Sequence, residues 1–227
     1  MRKISLLLFA CMAFFSALAQ TTNLDSIINA RRMSRDSTLR AIFSADSLKV
    51  AKEFSQKVKD DSLEAKLIFP VIKGGTESGI IPVKDITEIP DPNIDYKILF
   101  ELVGNNPDST IKEINYGLNE VARQINLHVA SGIPVKRLMF VIVAHAGALH
   151  ALKNNESFQK KYKMDNPNIK LIDDLKKMGI KFIVCGQAME FINVKKEELL
   201  PDIKISLTAQ TVLSHYQLKG YVLHPLW

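Results

Sequence analysis

The chain has 227 residues, 47% of them hydrophobic and 7% aromatic, with 30 Lys+Arg against 24 Asp+Glu for a formal charge of +6. That is ordinary globular composition, and it excludes collagen-like, disulfide-scaffold and wholly disordered chains. The excess of base is scattered rather than interleaved with aromatics, so composition lends no support to a nucleic-acid partner.

Residues 1–19 read as a secretory signal peptide. Arg2 and Lys3 form a positive start, Ile4 to Leu18 is an apolar run, and Ala17-Leu18-Ala19 supplies the small-x-small cleavage pattern before Gln20. The run is shorter than the ~20 apolar residues of a spanning helix, and no later segment offers a transmembrane stretch. The expected product is therefore exported across the inner membrane to the periplasm, with its formal charge lowered from +6 to +4 by the loss of Arg2 and Lys3. Cys11 leaves with the signal. Cys185 is then the only thiol in a compartment where paired cysteines are normally oxidised, so no internal disulfide can form.

Residues 20–68 are rich in Ser, Asp, Lys and Arg, and from 22 onward lack Gly and Pro. Spaced apolar residues such as Leu24, Ile28, Leu39, Ile42, Phe54 and Val58 read as a solvated amphipathic helix or a partly disordered spacer. The pair Asp-Ser recurs at Asp25, Asp36, Asp46 and Asp61, where it can cap several short helices. Residues 69–93 then carry Pro70, Gly74, Gly75, Gly79, Pro82, Pro90 and Pro92, a density of breakers that predicts a linker. On this reading the compact domain spans residues 94–227.

Within that domain, apolar runs alternate with helical periodicity. Tyr96 to Val103 reads as a buried strand, followed by a Gly104-Asn105-Asn106-Pro107 turn, a cap at Asp108 or Ser109, and a helix with Ile111, Ile114, Leu118, Val121 and Ile125 on one face. Leu138 to Ala144 is a second strand, followed by a short Ala/Leu-rich helix. Asn166-Pro167 reads as a helix start, with Leu171, Leu175 and Met178 on the buried face. Further strands follow at Ile180 to Val184, Ile203 to Leu207 and Tyr221 to His224, with a helix from Thr208 to Lys219. Strands buried on both faces and separated by helices imply βαβ units around a mostly parallel sheet, hence an α/β fold.

Ligands of open parallel sheets bind outside the carboxyl ends of the strands. That rule selects Asn105 after the first strand, His145 and Gly147 after the second, Cys185, Gly186 and Gln187 after the third, and Thr208 after the fourth. Cys185 is the candidate nucleophile and His145 its candidate activating neighbour; a helix start after Cys185 would favour a thiolate. Asn105, Gly147, Gly186, Gln187 and Thr208 are the candidate ligand-binding positions. The bland alternative makes Cys185 a small buried hydrophobe at the end of a core strand. His128 reads as a residue capping backbone carbonyls, while His150, His215 and His224 show no ligand spacing, so no metal is expected. The Gly104 to Thr110 stretch is neither of the common Gly-rich phosphate loops, and no cofactor is expected.

Taken in order, Asn126-Leu127-His128, Val143-Ala144-His145-Ala146-Gly147, Asn166-Pro167-Asn168, Cys185-Gly186-Gln187, Ser206-Leu207-Thr208 and Gly220-Tyr221 resemble the exported branch of the DsrE/DsrF-like family over about residues 94–227. The resemblance implies a flavodoxin-like three-layer α/β sandwich, often oligomeric, with a strand-end cysteine that carries sulfane sulfur as a persulfide. That role maps onto Cys185. The family's motif after the second strand is His-Gly; here Ala146 stands between His145 and Gly147. Three readings follow: a sulfur carrier or sulfurtransferase exchanging sulfur with a donor or acceptor protein or a small sulfur species, a non-catalytic module binding a small anion at the same edge, and a self-assembling envelope protein. A homo-oligomer is expected.

Overall fold

The computed structural model describes residues 61–226. The expected signal peptide and residues 20–60 of the expected helical segment lie outside the described residues. The apolar runs form five strands: β1 (Tyr96–Leu102), β2 (Leu138–Ala144), β3 (Lys181–Cys185), β4 (Lys204–Ser206) and β5 (Val222–Leu226). They pair in the order β4-β3-β2-β1-β5, every neighbouring pair parallel. The chain thus winds outward from β1 to β4 and returns once, to place β5 on the other side of β1.

Five helices connect them: α1 (Tyr116–Ala130), α2 (Asn155–Tyr162), α3 (Ile169–Lys177), α4 (Gly186–Phe191) and α5 (Ala209–Leu218). Because successive strand residues point to opposite faces, each central strand feeds two cores. On one face Phe100, Leu102, Phe140, Ile142, Phe182 and Val184 pack against Leu118, Val121 and Ile125 of α1 and Leu171, Ile172 and Leu175 of α3. On the other, Leu99, Val141, Val143, Ile183 and Cys185 are covered by Ala209 and Leu213 of α5. The result is a helix–sheet–helix sandwich with one thick and one thin outer layer.

Helix starts differ from the sequence reading. α1 begins at Tyr116, where the Asn115 side chain accepts from the amides of Gly117 and Leu118; Asp108 and Ser109 sit in a separate 3-10 turn. The cause is Asn106, which donates to the carbonyls of Thr110, Glu113 and Ile114 and accepts from the Tyr116 amide. That knot occupies the loop and holds it out of the helix. The short Ala/Leu-rich helix expected after the second strand is found at Ala146–Leu152, wound as a 3-10 helix. The N-cap position of α3 is Asn168 rather than the expected Asn166; Asn166 accepts from the Asn168 amide and donates to the carbonyls of Ala151 and Lys153, and Asn168 accepts from the Asn115 amide. Buried asparagines thus tie the loops beyond β1 and β2 to the start of α3, as buried polar groups must find partners.

The expected linker is only partly one. Ile68 and Ile80 form an antiparallel bridge, and Ile72 is buried in the thick-face core. Asn126 on α1 accepts from the amides of Val71 and Ile72 and donates to the carbonyls of Ile72 and Ser78. Asn119, about two turns earlier, accepts from the Gly75 amide. Residues 68–80 are therefore a docked strap and 81–95 are mostly exposed. The strap packs despite its composition, because Pro and Gly forbid regular structure without forbidding packing.

Candidate functional site

Parallel pairing brings the carboxyl ends of β4, β3, β2 and β1 into one line, and the selected residues occupy it in sheet order. Cys185 closes β3 opposite Ser206 of β4. It is 6% exposed, its side chain lies in the thin-face core, and Sγ accepts a hydrogen bond from the Ala188 amide at 3.4 Å. Gly186 is required by space: a Cβ there would stand 2.7 Å from the carbonyl oxygen of Ser206. The Gln187 amide donates to the carbonyl of Leu207, so among the described residues the amide serving the sulfur is that of Ala188. Thr208 caps α5 through the Gln210 amide.

His145 follows the last β2 pair, Ala144 with Val184, and remains extended at φ −149°. It stands one residue past that pair, as Cys185 does on β3. Its ring is engaged elsewhere: Nε2 lies 3.0 Å from Oε1 of Glu101 on β1, with side chains 25% and 16% exposed. The hydrogen bonds of His145 and Cys185 go to different partners. Glu101 escaped the sequence reading because it sits inside an apolar strand. Its charge amid Ile98, Leu99, Phe100 and Leu102 was the available signal, since a half-buried carboxylate needs a partner.

Beyond His145, Ala146 takes the left-handed conformation at φ +50°, uncommon for a residue with a side chain. A Cβ at Gly147 would stand 3.3 Å from the Asn105 amide nitrogen, so these two predicted positions meet at the β1 and β2 ends. The Asn105 side chain donates to the Tyr162 hydroxyl at 3.4 Å. Gly186, Gln187 and Thr208 gather at the β3 and β4 ends, with His145 and Cys185 between the two groups.

The other histidines have structural surroundings. His128 donates from Nδ1 to the Gln124 carbonyl and stacks edge-on with Tyr96 and Phe140; burial lowers its pKa. His150 is lowered to about 4, first by burial and then by the charges of Lys161 and Lys153. Among the described residues no group of three or more His, Cys, Asp or Glu is placed to hold a metal ion, and no helix is long and apolar enough to cross a membrane.

The model of the DsrE/DsrF-like family matches residues 97–225, more than half of the chain. No curated protein matches. Solved structures similar to the chain include a protein of unknown function, MTH1491, from Methanobacterium thermoautotrophicum, at 14% identity and TM-score 0.43, covering 58% of this chain and 100% of that one. The ychN protein from E. coli is similar at 15% identity and TM-score 0.43, covering 57% of this chain and 98% of that one.

Proposed function

The chain belongs to the DsrE/DsrF-like family, and from that premise we propose that it is an exported sulfur carrier or sulfurtransferase-like protein with Cys185 as the persulfide-accepting residue. The observation that carries the reading is the placement of the thiol: it ends a central parallel strand, accepts a backbone amide hydrogen bond, and stands on the same edge as a carboxylate–imidazole pair. In the transfer step Sγ attacks the outer sulfur of a donor persulfide. An Sγ–S bond forms, the donor S–S bond breaks, and the donor leaves as a thiol carrying the proton Cys185 releases. The reverse step delivers the sulfur to an acceptor thiol. The Ala188 amide steadies sulfur anion at Sγ, and Asn105, Gly147, Gly186, Gln187 and Thr208 shape the edge that the small sulfur species meets. The leader pattern supports a periplasmic location.

The burial of Cys185 favours a second reading, a non-catalytic module that binds a small anion at the same edge. Exposed Phe191 (85%), Leu207 (75%) and Leu218 (89%) support self-association in either case.

Intact-mass measurement after polysulfide treatment separates the two. Native protein is expected to gain the mass of one sulfur atom, reversibly on reduction, while Cys185→Ser gains none. No gain in the native state, with alkylation by iodoacetamide only after unfolding, would overturn the carrier reading in favour of the binding module.

A further inference from the structure

We propose that Glu101 is a positioning residue of this site: it locks His145 in the tautomer with the proton on Nε2, leaving Nδ1 as a proton acceptor at the strand ends. The proposal deepens the sulfur-transfer reading and takes its chemistry from it.

The geometry is specific. An ionised carboxylate only accepts, so the 3.0 Å contact places the hydrogen on Nε2. A neutral imidazole so held carries its lone pair on Nδ1. Among the described residues Nδ1 has no hydrogen-bond partner, and it is not one of the buried polar atoms left without one, so it reaches solvent. The backbone cannot swing the ring away easily. The His145 amide donates to the Leu102 carbonyl, and the Ala148 amide donates to the carbonyls of both Val103 and His145.

Placement argues against a merely structural pair. Glu101 pairs with Val143 in the strand register, and Val143, Ile183 and Leu99 form the apolar floor around it. An apolar side chain would extend that floor without the cost of desolvating a carboxylate. What the carboxylate adds is orientation of an imidazole, as outer partners do for histidines that act in sites. His145 and Cys185 each stand one residue past the last β2–β3 pair, Ala144 with Val184. The proton that Cys185 releases on attack passes through water to Nδ1 and returns to the donor's sulfur as the donor S–S bond breaks. Proton and electron pair balance with no added reactant.

The test is long-range proton–nitrogen NMR on the full 15N-labelled chain, with His145→Gln assigning the ring signals. Wild type is expected to show one fixed tautomer, protonated at Nε2. Glu101→Gln, whose amide can donate as well as accept, is expected to show a mixture, and Glu101→Asp to restore the fixed form in part. Sulfur uptake from polysulfide should slow in Glu101→Gln by roughly tenfold or more, with an unchanged melting transition as the control for folding. A mixed or Nδ1-protonated wild type overturns the proposal, as does a Glu101→Gln variant with altered tautomer and unaltered uptake. Wild type that holds the tautomer yet takes up no sulfur overturns the transfer reading instead, because the ring signals report on Glu101 whatever Cys185 does.

Discussion

The two faces of the sheet are built to different depths. The thick face has two helices, α1 and α3, and a docked strap over Phe100, Ile142 and Val184; the thin face has α5 alone over Leu99, Val143 and Ile183. Neighbouring residues of one strand experience both environments: Phe100 is fully buried and packs edge-on against Phe140 at 5.3 Å, while Glu101 keeps part of its side chain in water. The difference teaches where this fold tolerates polarity. The Glu101–His145 pair sits within the sheet where the covering layer is thin and gives out toward the strand ends. There desolvation is partial and the two groups satisfy each other.

The largest test of this contrast is removal of the strap. A chain starting at residue 94 uncovers the thick-face core around Ile72 and strips Asn126 of its four strap hydrogen bonds. Each orphaned buried group costs about 1–3 kcal/mol, a large share of the ~5–15 kcal/mol that holds a domain together. Such a chain should lose its cooperative thermal transition, whereas a chain starting at residue 61 keeps it. Equally sharp melting of the two would show that the thick face does not depend on its third cover.

A second comparison samples the faces directly by chemical denaturation. Phe100→Ala should cost about 3–5 kcal/mol, the range for a buried aromatic. Leu213→Ala, at 9% exposure on α5, should fall near ~2 kcal/mol because the thin layer can relax into the gap. Equal losses would mean that α5 seals its face as tightly as α1 and α3 seal theirs.

The smallest expected effect is a pH dependence from the thick-face side. His150 lies between Leu149 and Ala151 of that core, and burial holds its pKa near 4 against an ordinary 6.5. The folded protein then binds fewer protons than the unfolded chain between these values. The stabilisation from neutral His150 is complete above pH 6.5 and is lost as pH falls toward 4. Denaturation midpoints should decline across that window and decline less in His150→Gln. An identical slope in the variant would assign the decline to other groups, among them His128, which burial also lowers.

The amino-acid sequence by itself determined the α/β alternation, the five strand cores to within a residue or two, and the strand-end address of Cys185 and His145. These are local properties: apolar runs, 3.6-residue periodicity and glycines that stop helices carry them within short windows. Only the tertiary structure decided the remainder. Asp108, Ser109 and Asn115 are all able to cap a helix, and Asn106, by capturing three carbonyls, selects Asn115. The Pro/Gly segment shows no periodicity to read, yet it docks through Asn126, which lies 54 residues beyond Ile72. Strand patterns place His145 at the end of β2, but the direction of its ring depends on Glu101, 44 residues away along the chain. Hydrogen bonds between such distant side chains are made by the folded packing, and no window of sequence contains both partners.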